Sequence, residues 1–155
     1  MDVNLINPIL AAFAEILPQI GLQKVEKKGI SLVGSTFTYE GVLLNIAVIG
    51  SIKGVILIGM DLESAKKFAS KMMMGMPVPE FDKLAQSAVS EMGNMVCANA
   101  CTQYTKIGIE GLDISPPTMM IGQSGQVTLS VPKVIVIDFV VDDEIKINMH
   151  LGLEK

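Results

Sequence analysis

Aromatic side chains are scarce in this sequence, and tryptophan is absent: two Tyr and five Phe make up the whole set. A core built without them must be aliphatic, and the 11 methionines supply flexible filler for irregular gaps or adaptable contact surfaces. Only 18% of residues are charged against 50% hydrophobic, which excludes an intrinsically disordered chain. Basic excess is missing too. The net charge is −4 and the pI about 4.9. No stripe of cations is available to neutralise phosphates, so nucleic acid is excluded as an expected partner.

Cysteine is nearly absent. Cys97 and Cys101, one helical turn apart, make no disulfide framework. Two thiols at that spacing could share a metal, but a tetrahedral site takes four ligands and the chain adds only His150. They are read as buried or half-buried thiols of a reducing, cytoplasmic protein. The lone His150, on an alternating strand, is read as a surface-strand residue and cannot anchor a catalytic triad or metal cluster alone. Dinucleotide and phosphate loops are missing, as is the strand-to-helix elbow of serine hydrolases. Met1-Asp2-Val3-Asn4 lacks the basic start of a secretory signal. One segment imitates a membrane span: Gly41 to Met60, interrupted by the single charge of Lys53. A lysine near the middle of a span costs roughly 2.5–3.5 kcal/mol. Gly50-Ser51-Ile52-Lys53-Gly54 reads instead as a turn between two strands, and no membrane is expected.

What is present suits one domain, 1–155, long enough to bury a sizeable core. Asn7-Pro8 reads as a helix start, with Leu10, Phe13, Leu17 and Ile20 at helical spacing and Pro18 and Gly21 closing it. Ile30–Val33 and Thr36–Tyr39 are short strand candidates. Val42–Ile49 and Val55–Met60 form a hairpin so continuously apolar that both faces should be covered. Asp61 caps a helix over Leu62–Met74, whose Met72-Met73-Met74 run is read as helix packing, and Gly75-Met76-Pro77 breaks it. A long helix follows from about Phe81 to Lys106, ended by Gly108 and Gly111 and by the rigid Ser115-Pro116-Pro117 loop. Thr118–Ile121, Gln126–Val131, Val134–Val141 and Ile145–Leu153 read as the remaining strands, with Asp142-Asp143 turning the last pair. The expected class is α+β: a largely antiparallel sheet of about six strands, with a long helix and shorter helices packed on it.

The long helix carries the functional signal. At 100° per residue, Ala85, Val89, Met92, Val96, Ala100 and Ile107 share one side, an ordinary core stripe. Ser87, Glu91, Asn94 and Ala98 fall on the opposite, narrow face. A helix that only had to pack would not need a carboxylate and a carboxamide three apart there, although solvated surface could also produce the pair.

Ser87, three residues, Glu91, two residues, Asn94, then 22 residues (95–116) and Pro117 resembles the signature of the CheC/CheX/FliY family of bacterial chemotaxis phosphatases. The Gly-Met-Pro before the helix and Asp113-Ile114-Ser115-Pro116-Pro117-Thr118 after it are also similar to that family. Some members carry the Glu-x-x-Asn motif twice. Here the first helix reads Glu15-Ile16-Leu17-Pro18, without the Asn, so the chain resembles the single-motif CheX type. The resemblance implies a CheC-like fold and a homodimer formed by joined sheets. It also implies a phosphatase that hydrolyses the phospho-aspartate of a CheY-like response-regulator receiver domain. By the same resemblance Asn94 would position the attacking water and Glu91 would pair with the receiver's Lys, these two being catalytic. Ser87, Ala98 and Pro117 would border the partner contact. No cofactor would be bound by this chain, since the receiver supplies Mg²⁺. The alternative is a non-catalytic homodimer that docks a receiver domain or flagellar switch protein through the same helix.

Overall fold

Two caps set the helices that face the sheet. The Asp61 carboxylate accepts from the Ser64 N–H at 2.7 Å and starts α2, Leu62–Met72. Asp82 accepts from the Ala85 N–H at 3.0 Å and starts α3, Lys83–Lys106, which Gly108 closes at φ +89°. The structure, a computed structural model, describes residues 3–155; Met1 and Asp2, the start of the segment read for a secretory signal, lie outside the described residues. The first helix, α1, spans Val3–Gln19. It therefore starts before Asn7-Pro8, and Pro8 and Pro18 both lie inside it. Its buried stripe of Leu5, Ile9, Phe13 and Leu17 outweighs the backbone donors the prolines remove.

Five strands form the sheet rather than about six: β1 Val25–Ile49, β2 Lys53–Met60, β3 Asp113–Ile114, β4 Thr118–Val141 and β5 Ile145–Glu154. Every pairing is antiparallel. The strand candidates of 25–49 fuse into one strand, and those of 118–141 into another. Register shifts between Lys27 and Gly29, Gly34 and Thr36, and Tyr39 and Gly41 let this long ribbon bend without breaking. Pro132 falls between the paired residues Thr128 and Lys133, at one of those shifts, where a missing donor costs nothing in the ladder. The expected hairpin forms, pairing Val42 with Met60 through Val48 with Gly54. β1 pairs with β2, β2 with β5, β5 with β4 and β4 with β1, so the strands close on themselves.

That closure buries both faces of the central strands. On one face of β5, Ile147, Met149 and Leu151 join the helices' core, where Phe13 of α1 meets Phe139 of β4 with ring centroids 4.5 Å apart. On the other face His150 stacks on Phe37 of the β1–β4 ribbon at 3.9 Å, and Leu129 and Val131 close over Gly152. His150 is thus buried, not a surface-strand residue; of the residues that alternate with the core side of β5, Lys146 is exposed and Asn148 half-buried, while His150 and Gly152 are covered. Ile107 is likewise corrected: it caps α3 and is 52% exposed, outside the core stripe. Met74, expected to pack, protrudes at 96% exposure because the chain turns there with φ +60°.

Candidate functional site

Ala85, Val89, Met92, Val96 and Ala100 bury the inner side of α3 as the spacing predicts. Gly93 brings the helix down onto β1. A Cβ there would stand 2.8 Å from Leu44 Cδ1 and 3.2 Å from Ile46 Cδ1, so any side chain at this position must push those residues aside or lift the helix. The opposite face, with Ser87 and Glu91 exposed and Asn94 half-buried, forms one wall of a groove of about 720 Å³. Its other wall is Ile114, Pro116, Pro117 and Met119.

The second wall is fastened to the sheet rather than left as a loose loop. Val48 and Ile49 pair with Ile114 and Asp113. The Ser115 N–H donates to the Ala47 carbonyl at 3.0 Å, and the Ala47 N–H donates to Ser115 Oγ at 2.9 Å. Two prolines then restrict the backbone that faces α3. This latch is why a residue 23 positions (117 − 94) after Asn94 lines the same groove.

Of the residues singled out in the sequence, Ser87, Glu91, Asn94 and Pro117 meet in the groove. Ala98 shares their exposed face but lies beyond the groove's lining. Lys83, Gln86, Ser90, Ile114, Pro116 and Met119 also line it and were missed. Helical spacing could have found Lys83 and Ser90, each four residues before Ser87 and Asn94. The apolar wall could not be found that way, because it depends on the pairing with β1.

The groove holds one carboxylate, Glu91, and one cation, Lys83. Neither takes part in an ion pair among the described residues, and the Asn94 amide makes no hydrogen bond with them. A carboxamide with both its donor and acceptor open can hold a water, and a carboxylate one turn away can hold a cation. The groove's two hydroxyls, Ser87 and Ser90, have no imidazole beside them to activate them, since His150 stacks on Phe37 on the other face of the sheet. Burial pushes the Cys97 thiol up to about 12 and raises Cys101 as well, so neither is a thiolate at neutral pH. No group of three or more His, Cys, Asp or Glu among the described residues could hold a metal, and the single carboxylate of the groove is too small a donor set for a hard divalent cation. No helix among them is long and apolar enough to cross a membrane.

The family model for "Chemotaxis phosphatase CheX" matches residues 42–140. The CheY-P phosphatase CheX of Thermotoga maritima is 29% identical over 124 residues, 79% of each chain. Chemotaxis protein CheX from Vibrio vulnificus superposes with a TM-score of 0.83 at 18% identity, covering 97% of this chain and 99% of that one. CheX in the CheX–CheY–BeF₃–Mg²⁺ complex from Borrelia burgdorferi does so at 0.77 and 23% identity, over 97% of both chains. The chain, through a family match that contains the whole of α3 and its groove, belongs to the CheX family of chemotaxis phosphatases.

Proposed function

We propose that the protein hydrolyses the aspartyl phosphate of a CheY-like receiver domain by completing, in trans, an active site that the receiver supplies only in part. The observation that carries this is the pairing of Glu91 and Asn94, side by side in one groove and unengaged by described residues. Hydrolysis of an acyl phosphate needs little covalent help: a water must sit in line with the breaking P–O bond and the developing charge must be met. The Asn94 side-chain oxygen accepts from that water and its NH₂ donates, which orients the lone pair toward phosphorus. The water's oxygen bonds to phosphorus, the aspartyl oxygen leaves with the bonding pair, and aspartate and inorganic phosphate result. Glu91, one turn earlier, pairs with a cation of the receiver and fixes the docking register. Ser87 and Pro117 border the contact, while Ala98 extends the exposed face past it. Magnesium belongs to the receiver in this reading; the related CheX–CheY complex contains Mg²⁺, and when bound it would offset phosphoryl charge.

The protein acts as one cytoplasmic domain, 1–155, paired with a second copy through the β1 edge. There Ile30 and Leu32 are 51% and 55% exposed on a strand segment with no outer neighbour among the described residues. The decisive experiment follows decay of a phosphorylated receiver with wild type and Asn94→Ala. Loss of water positioning should cost about a hundredfold in catalysed rate. Acceleration that survives the substitution refutes the assigned role. Binding without any acceleration by wild type supports the docking module instead.

A further inference from the structure

Helix α3 breaks a local rule that α2 obeys. In α2 the first turn carries Glu63 and the last turn Lys71, each matched to the helix dipole. The last turn of α3 has Lys106, but past the Asp82 cap its first turn has no acidic residue and opens on Lys83, a cation at the positive end of the dipole. Lys83 is exposed and forms no ion pair among the described residues, so no salt bridge within them accounts for it. It does line the groove with Glu91 and Asn94. Beside it Leu84, 63% exposed, turns an apolar side chain out on the same broad face. A local choice that costs the helix and faces a binding groove marks a functional position.

We infer that Lys83, with Leu84, is a second contact that selects which phosphorylated receiver this protein accepts. The inference rests on the reading of Glu91 and Asn94 given above. Eight residues separate Lys83 from Glu91 (91 − 83), a rise of about 12 Å along the helix, and eleven separate it from Asn94, about 16 Å. Lys83 is therefore too far along to share the phosphoryl group and meets the receiver elsewhere. The helix sets the backbone positions of the anion and the cation about 12 Å apart along its axis, and the matching receiver must present the reverse. Its cation lies beside the phosphorylated aspartate and its carboxylate, flanked by apolar surface for Leu84, about 12 Å away. A receiver with a cation at that second place is repelled, which gives discrimination among domains of one shape.

The test uses the full chain and the receiver domain that wild type dephosphorylates fastest, phosphorylated with a small acyl phosphate. Lys83→Glu should lower kcat/KM about tenfold at low ionic strength, leave kcat within about twofold, and lose most of its effect in about 0.5 M salt. Lys83→Arg should keep wild-type behaviour. Unfolding cannot mimic the result, since a glutamate in the first turn suits the dipole better than lysine. Receivers carrying single Asp or Glu→Lys changes on the docking face should include one that loses with wild type and recovers with Lys83→Glu. Equal kcat/KM for wild type and Lys83→Glu at low salt, a loss that persists at high salt, or no recovering pair overturns this inference and leaves the phosphatase reading standing. Failure of wild type to accelerate any receiver overturns the phosphatase reading itself.

Discussion

Adding one methyl group beneath Asn94 tests the placement of the helix that carries the site. In Gly93→Ala the new Cβ would meet Leu44 Cδ1 at 2.8 Å and Ile46 Cδ1 at 3.2 Å. Carbon atoms pack best at about 3.5–4.0 Å, so the first contact is short by about 0.7 Å. Leu44 and Ile46 are both fully buried, so neither can turn out into solvent. Either they leave their rotamers or α3 lifts off the sheet, and overpacking of this kind costs about 1–3 kcal/mol. Against it stands the gain of alanine over glycine within a helix, about 1 kcal/mol. The expected net loss is about 1 kcal/mol, which for a chain of this size lowers Tm by about 2–4 °C. Thermal and urea melts followed by circular dichroism would read it. The background matters more than the single value: Leu44→Val removes the clashing methyl, so in that background Gly93→Ala should become neutral or stabilising, a coupling above about 0.5 kcal/mol. A rise in Tm for Gly93→Ala in the wild-type background, with additive effects in the double variant, would refute the close approach. Propensity alone would then govern the position.

Two further outcomes follow from the second face of the sheet and from the turn at its end. Asp142, at φ +51°, accepts from the N–H groups of Gln23 and Lys24 at 2.9 and 2.8 Å and lies 3.6 Å from Lys71 Nζ. Asp142→Ala loses both bonds and puts alanine in a left-handed conformation, at about 2–4 kcal/mol, whereas Asp142→Asn keeps the acceptor and should cost under about 1 kcal/mol by urea midpoint. Burial lowers the His150 pKa below its ordinary 6.5, only partly countered by the charge of Asp138. The unfolded chain then binds a proton that the folded one resists, so stability is full above about pH 6.5 and falls as pH drops from there toward the folded value. Melts of wild type should show that slope and those of His150→Leu should lack its share; equal slopes would place His150 in contact with solvent.

Much of the fold was legible because the signals are local. Asp61 and Asp82 announce helix starts through side-chain bonds three residues on. Gly50 adopts a positive φ at the turn between the apolar strands, and Asp142-Asp143 turns the last hairpin with both φ values positive. The misses are equally physical. Strand fusion across Gly34 and Gly41 depends on bulges that only a paired partner stabilises. The burial of His150 depends on Phe37, 113 positions away (150 − 37), lying over it.

The candidate site divides in the same way. Helical periodicity alone put Ser87, Glu91 and Asn94 on one face and the core stripe on the other, because 100° per residue is a property of the backbone and needs no partner. The groove itself was decided by tertiary structure. The Ser115 latch to Ala47 brings Pro117 opposite Asn94, and the close seat of Gly93 on Leu44 sets the height of the helix. Both are contacts between segments remote in sequence, which no local pattern encodes.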